Sequence, residues 1–219
     1  MREKTFLLAR PEARVLEWIA RRLPRWVMPD HLTALGVLAA IGIAAAYVLS
    51  NRDPVWLWVA SGLLVVHWLG DSLDGTLARV RRTERPRYGY YLDHLVDAIA
   101  TALIGIGLGL SPYMLFATGL VVVIAYLVLS INTYLETHTL GVFSLGYGRL
   151  GPTEGRVALI AVNTLLALGL LPAISAFGLG VTVLDLVGLA ALMLGGLAVR
   201  AARNLRELAR LEPAGQAAP

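Results

Sequence analysis

Apolar residues run along this chain in long blocks, not with the alternation of a half-buried strand. Residues 31–51 contain no Asp, Glu, Lys or Arg, and neither do residues 54–70; the turn sequence NRDP separates them. Residues 98–135 form a third uncharged run, twice the ~20 residues that one membrane crossing takes, and LSPY at 110–113 divides it. A fourth, 157–184, is broken by Pro172 and by the glycines Gly178 and Gly180. The pattern predicts six transmembrane helices, over 31–51, 54–82, 89–110, 113–137, 156–172 and 181–201.

Ahead of these runs, PEARVLEWIARRLPRW sets Val15, Leu16, Ile19 and Leu23 on one helical face and Arg14, Glu17 and Arg21 on the other. A helix lying in the membrane interface has this pattern, and so does an amphipathic helix packed on the protein itself. No short apolar core followed by a cleavage site marks a signal peptide.

Composition agrees, with 57% hydrophobic and 16% charged residues. The expectation is an all-α integral membrane protein with one catalytic domain, 31–201. An N-terminal segment, 1–30, carries the interfacial helix, and a tail, 202–219, follows the last span, with the helical pattern RAARNLRELARLE running across the junction from 200 to 212. Six spans place both termini and the loops after the second and fourth spans on one side. All of the 19 Lys and Arg residues except Arg52 then fall there, which makes that side the cytoplasm. No cysteine is present, so thiolate metal sites and thiol nucleophiles are excluded.

Chemistry concentrates in LGDSLDGTLARVRRTERPRYGYYLDHLVDAIA, residues 69–100. His67, Asp71, Asp74 and Ala78 share one face of the second span, and Gly89, Asp93 and Asp97 share one face of the third. Two helices joined by a short loop are expected to be antiparallel neighbours with the carboxylates facing each other. Four such groups repel unless cations offset them, and hard oxygen ligands favour Mg2+, Mn2+ or Ca2+. Gly75 and Ala78 leave room beside the carboxylates, and Arg79 offers a forked donor to phosphate. Together these features suggest a nucleotide diphosphate ligand.

These residues resemble the CDP-alcohol phosphotransferase family, whose motif is D-x2-D-G-x2-A-R, a spacer of eight or nine residues, then G-x3-D-x3-D. Asp71, Asp74, Gly75, Ala78, Arg79, Gly89, Asp93 and Asp97 match it throughout. The resemblance implies transfer of a substituted phosphate group from a CDP-alcohol to an acceptor alcohol, with release of CMP. It implies two Mg2+ (or Mn2+) ions on Asp71, Asp74, Asp93 and Asp97, with Asp97 also the general base. Gly75, Ala78 and Arg79 would accommodate the CDP portion.

MPDHLTALG is similar to the family's P-N-x2-T-x2-G stretch through Pro29, Thr33 and Gly36, which adds Thr33 to the nucleotide side. Asp30 replaces the usual Asn, and capping of the first span by Asp30 is the alternative reading. YLDHLVD and GRLGPTEGR look like the choline- and ethanolaminephosphotransferase branch, making His94, Arg149, Glu154 and Arg156 candidate substrate contacts. In a phosphatidyltransferase using CDP-diacylglycerol, Arg149 and Arg156 would instead bind an acceptor phosphate.

Plainer roles stand beside these. A hydrogen bond between helices is the expectation for His67, contact with a neighbouring helix suits His94, helix capping suits Glu154, and an interfacial place suits Asp185. The expected partners are the CDP-alcohol, the acceptor, one of them a lipid, the bilayer and a second copy of the chain, with no nucleic acid. Two rival functions remain at this point, an aspartate-rich prenyltransferase of the UbiA type and an ion-coupled transporter.

Overall fold

A computed structural model describes residues 8–141, 151–171 and 181–211, with side-chain surroundings described in the last segment from Gly188 onward except for residue 189. Seven helices and no strand occur among them: α1 (Ala9–Ala20), α2 (Pro29–Leu49), α3 (Trp56–Arg81), α4 (Pro86–Gly109), α5 (Phe116–Leu140), α6 (Pro152–Ala167) and α7 (Val181–Leu211). Proline opens α2, α4 and α6, where its missing N–H costs nothing and its fixed φ suits the first turn. Gly141 ends α5 in the left-handed region, and Arg82, with φ of 56°, ends α3 the same way.

Among the described residues four helices, α2 to α5, are long and apolar enough to cross a membrane. The described α6 has 16 residues, a rise of about 24 Å against a hydrocarbon core of about 30 Å. The expected end of the last span at 201 is not a helix end: α7 continues through the RAARNLRELARL pattern to Leu211. The outward sides of the spans carry exposed Leu38, Trp58, Val65, Ile124 and Ile131, an apolar surface suited to lipid.

Packing is built around α2, which lies against both α3 and α4. At its tightest point the α2 and α3 backbones touch: a Cβ on Gly70 would stand 2.7 Å from both the Gly36 nitrogen and the Leu32 carbonyl oxygen. Toward the opposite membrane face Ile43, Tyr47, Leu57, Leu64 and Leu166 form one buried cluster. Inside it Tyr47 donates to Asn163 Oδ1 (3.1 Å), and Asn163 Nδ2 donates to Ser61 Oγ (3.2 Å). Those bonds join α2, α6 and α3 where unsatisfied polar groups would be costly.

α1 forms where the amphipathic pattern placed a helix, and it packs on α3. Leu16 and Ala20 are buried with Leu32, Leu73 and Leu77, while Ile19 and Leu23 pack at the margin. Val15, from the same stripe, faces outward and is 48% exposed beside Trp18. Arg81 fixes the following loop by donating to the carbonyls of Leu23, Pro24 and Val27.

The aspartates of the two helices face each other as expected, but the helices themselves are not packed together. α3 and α4 do not pack closely on each other; each rests on α2, and α4 also rests on α5. The gap between them is a cleft.

Candidate active site

The cleft has a volume of about 760 Å³ and is lined by α3, α4, the length of α1 and the starts of α2 and α6. From α3 comes Asp71, and from α4 come Asp93 and Asp97, one turn apart. One carboxylate oxygen from each lies within 4.8 Å of the others. An all-oxygen set at that spacing fits a hard divalent cation, which prefers carboxylate ligands.

Asp74, expected as a fourth ligand, stands outside this group. Its place one turn further along α3 brings it beside the start of α2, where Oδ2 accepts from Thr33 Oγ1 at 2.6 Å. Its Oδ1 accepts from the Gly75 N–H at 2.5 Å. Thr33 therefore meets the site as the partner of an aspartate.

Gly75, Ala78 and Arg79 line the same cleft. A Cβ added to Gly75 would meet only Arg79 Nη1, at 3.5 Å, and one added to Gly89 would meet nothing within 4 Å. Helix packing does not require glycine at either position; the space borders the cavity. Arg79 donates to Thr76 Oγ1 at 3.0 Å from an exposed position.

Arg156 reaches across from α6 and donates to Asp71 Oδ2 at 2.6 Å. Both side chains are largely enclosed, so water screens the pair less than it would at an open surface. Glu154 takes the capping role: Oε2 accepts from the Gly151 N–H, and Oε1 accepts from the Leu8 N–H, both at 2.9 Å. Arg149 and the side chain of Asp185 lie outside the described residues.

His94 packs on a neighbouring helix, as one of its two expected roles had it. Its ring lies 4.1 Å from that of Tyr90 and 4.7 Å from that of Tyr134 on α5. Nδ1 is 2.6 Å from the Tyr90 carbonyl oxygen, an acceptor only, which places the proton on Nδ1. Asp93 Oδ2 is 3.8 Å from the same nitrogen. The hydrogen bond between helices expected for His67 is not found: the residue is buried, and burial on α3 brings neither ring nitrogen a partner among the described residues.

Capping by Asp30 is also corrected. Met28 precedes the first turn, and Asp30 instead forms an ion pair with Arg85 at the mouth of the cleft. The hydrogen bond to Asp30 holds the Arg85 guanidinium above its ordinary pKa.

One contributor escaped the motif reading altogether. Glu12 of α1 lines the cleft, and its Oε1 accepts from Trp68 Nε1, Ser72 Oγ and Thr153 Oγ1. The signal was present in the helical pattern: Glu12 stands four residues before Leu16, in line with the apolar stripe, where a charge needs donors from other elements.

A family model described as CDP-alcohol phosphatidyltransferase matches residues 26–199. Cholinephosphotransferase 1 of Danio rerio is 26% identical over 68% of this chain and 41% of its own length. A CDP-diacylglycerol–glycerol-3-phosphate 3-phosphatidyltransferase of Cereibacter sphaeroides is 32% identical over 44% of each chain. Phosphatidylinositol phosphate synthase of Cutibacterium acnes is 33% identical over 45% of each. The chain spans less than half the length of these relatives. With its model matched from before α2 into α7, and with all the motif residues bordering or entering one cleft between membrane helices, the chain belongs to the CDP-alcohol phosphatidyltransferase family.

Proposed function

We propose that the protein is a phospholipid-synthesis enzyme that transfers a substituted phosphate group from a CDP-alcohol to an acceptor alcohol and releases CMP. The observation that carries this reading is the grouping of Asp71, Asp93 and Asp97 in a cleft walled by Gly75, Ala78 and Arg79. The prenyltransferase and transporter readings have no comparable observation in their favour.

In this mechanism the acceptor oxygen bonds to the phosphorus that bears the donor's alcohol. The phosphoanhydride bond breaks, and CMP leaves with its electron pair. Asp97 takes the hydroxyl proton as general base. Two Mg2+ (or Mn2+) ions held by the three grouped aspartates and Asp74 would supply Lewis acidity at the diphosphate. Gly75 and Ala78 give the nucleotide room, Thr33 orients Asp74, and Arg79 and Arg156 offer donors to phosphate oxygens.

The cleft opens beside the arginine-rich α3–α4 loop, which the distribution of positive charge assigns to the cytoplasm along with both termini. Six spans, counting α6 and α7, complete the domain. A lipid substrate would enter from the bilayer and the polar one from the cytosol.

A soluble CDP-alcohol such as CDP-choline or CDP-ethanolamine, with a diacylglycerol-like acceptor, is the favoured pair. The cholinephosphotransferase relative, aligned over two thirds of this chain, supports it, as do the DH and GPTEG stretches. The relatives named for CDP-diacylglycerol and phosphatidylinositol phosphate favour a second reading, with CDP-diacylglycerol as donor. The deciding experiment gives purified protein each donor with a panel of acceptors and measures CMP and the lipid product. CMP from CDP-choline or CDP-ethanolamine supports the first reading, CMP from CDP-diacylglycerol alone supports the second, and none from any donor removes both.

A further inference from the structure

Glu12 collects three side-chain donors from two other helices. Its Oε1 accepts from Trp68 Nε1 at 2.8 Å and Ser72 Oγ at 3.4 Å, both on α3, and from Thr153 Oγ1 at 2.9 Å on α6. Ser72 directly follows Asp71, and Thr153 stands one turn before Arg156. Arg156 in turn donates to Asp71 at 2.6 Å. The contacts close into a ring that passes from Glu12 through α3 to Asp71, across to Arg156, back along α6 to Thr153, and home to Glu12.

We infer that Glu12 is a positioning residue that braces the first turn of α6 against α3 and so sets where the Arg156 guanidinium stands over the aspartate group. Attachment of α1 does not depend on it. Leu16 and Ala20 already bury that helix on α3, and the Leu8 N–H already holds its start to Glu154. What distinguishes Glu12 is that its donors flank two residues of the cleft.

The consequence for turnover rests on the transferase reading above. Arg156 is aimed at developing phosphate charge, where a misplacement of about 1 Å is enough to cost on the order of 100-fold in rate. Glu12→Ala is expected to lower kcat about tenfold or more while KM for the donor stays within about threefold. Glu12→Gln keeps an acceptor oxygen for the same donors and is expected to restore kcat to within about threefold of the parent. Thr153→Val removes the α6 end of the same Glu12–Thr153 contact, so adding it to Glu12→Ala should lower kcat little further.

The experiment measures kcat and KM for these variants in nanodiscs, together with hydrogen–deuterium exchange. Faster exchange at 151–158 in Glu12→Ala, reversed in Glu12→Gln and accompanied by the kcat pattern, supports the inference. An increase confined to 9–20, an unchanged kcat in Glu12→Ala, or no recovery with Gln overturns it. If Glu12→Ala does not fold, Thr153→Val and Glu12→Gln carry the same two readouts. If the parent protein releases no CMP from any donor, the transferase reading falls, and exchange at 151–158 alone decides whether Glu12 braces α6.

Discussion

Asp97 lies one turn beyond Asp93 on α4 and shares with it and Asp71 a space less than 5 Å across. As general base it would accept the attacking hydroxyl's proton, which an amide of the same shape does not do. Asp97→Asn is therefore expected to lower single-turnover rate by about 10²–10⁴ with a smaller loss of donor affinity. Asp71→Asn should lose both. Magnesium-dependent donor binding measured beside turnover separates the two, and near-normal turnover in Asp97→Asn would remove the base assignment. Thr33→Val keeps the shape but removes the donor to Asp74, a charge-assisted bond worth about 1.5–3 kcal/mol. It should raise the magnesium concentration needed for half-maximal CMP release roughly tenfold or more; an unchanged magnesium titration would show that Thr33 does not tune Asp74. The spacing of the aspartates along their helices made them legible as a group. Glu12 was far less legible, because Thr153, one of its partners, is 141 residues away in the chain and no local pattern joins them. Asp74 was legible as a site residue, but not its separation from the other three. That depends on where the start of α2 lies in space.

Helices were easier to read than their neighbours. The hydropathy pattern located α2 to α5 to within three residues and α6 to within five, since each uncharged run must be buried or face lipid. The continuation of α7 past 201 was read as a separate piece because charge returns there, although the helical pattern does not stop. α3 and α4 bring their aspartates together but do not pack closely, because a short connection limits only the distance between two helix ends, while α2 lies against both helices and a cleft separates them. Glycines at the α2–α3 contact give a test at this scale. Gly70→Ala forces its Cβ onto the Gly36 and Leu32 backbone and is expected to cost about 1–3 kcal/mol, read as a lower midpoint of thermal unfolding in detergent. Gly36→Ala meets backbone no closer than 3.6 Å, ordinary contact, and should unfold close to the parent. Equal effects of the two would refute the backbone contact as the cause.

For the whole molecule the central expectation is orientation. All but one of the 19 basic residues fall on the side assigned to the cytoplasm, and the chain contains no cysteine, so single cysteines report topology cleanly. A cysteine at Glu84 should resist a membrane-impermeant maleimide in intact cells and react after permeabilisation, whereas one at Arg52 should react from outside. Reaction of the 84 position in intact cells would invert the assignment. The touching backbones of α2 and α3 also bear on how such a molecule acquires new substrates. With Gly70, one residue before Asp71, pressed to the Gly36 and Leu32 backbone, α3 has no room to shift toward α2 behind that aspartate. Substitutions that adapt the enzyme to a bulkier alcohol should therefore accumulate on α4 and α6, leaving the α2–α3 wall nearly constant as the rest of the pocket drifts.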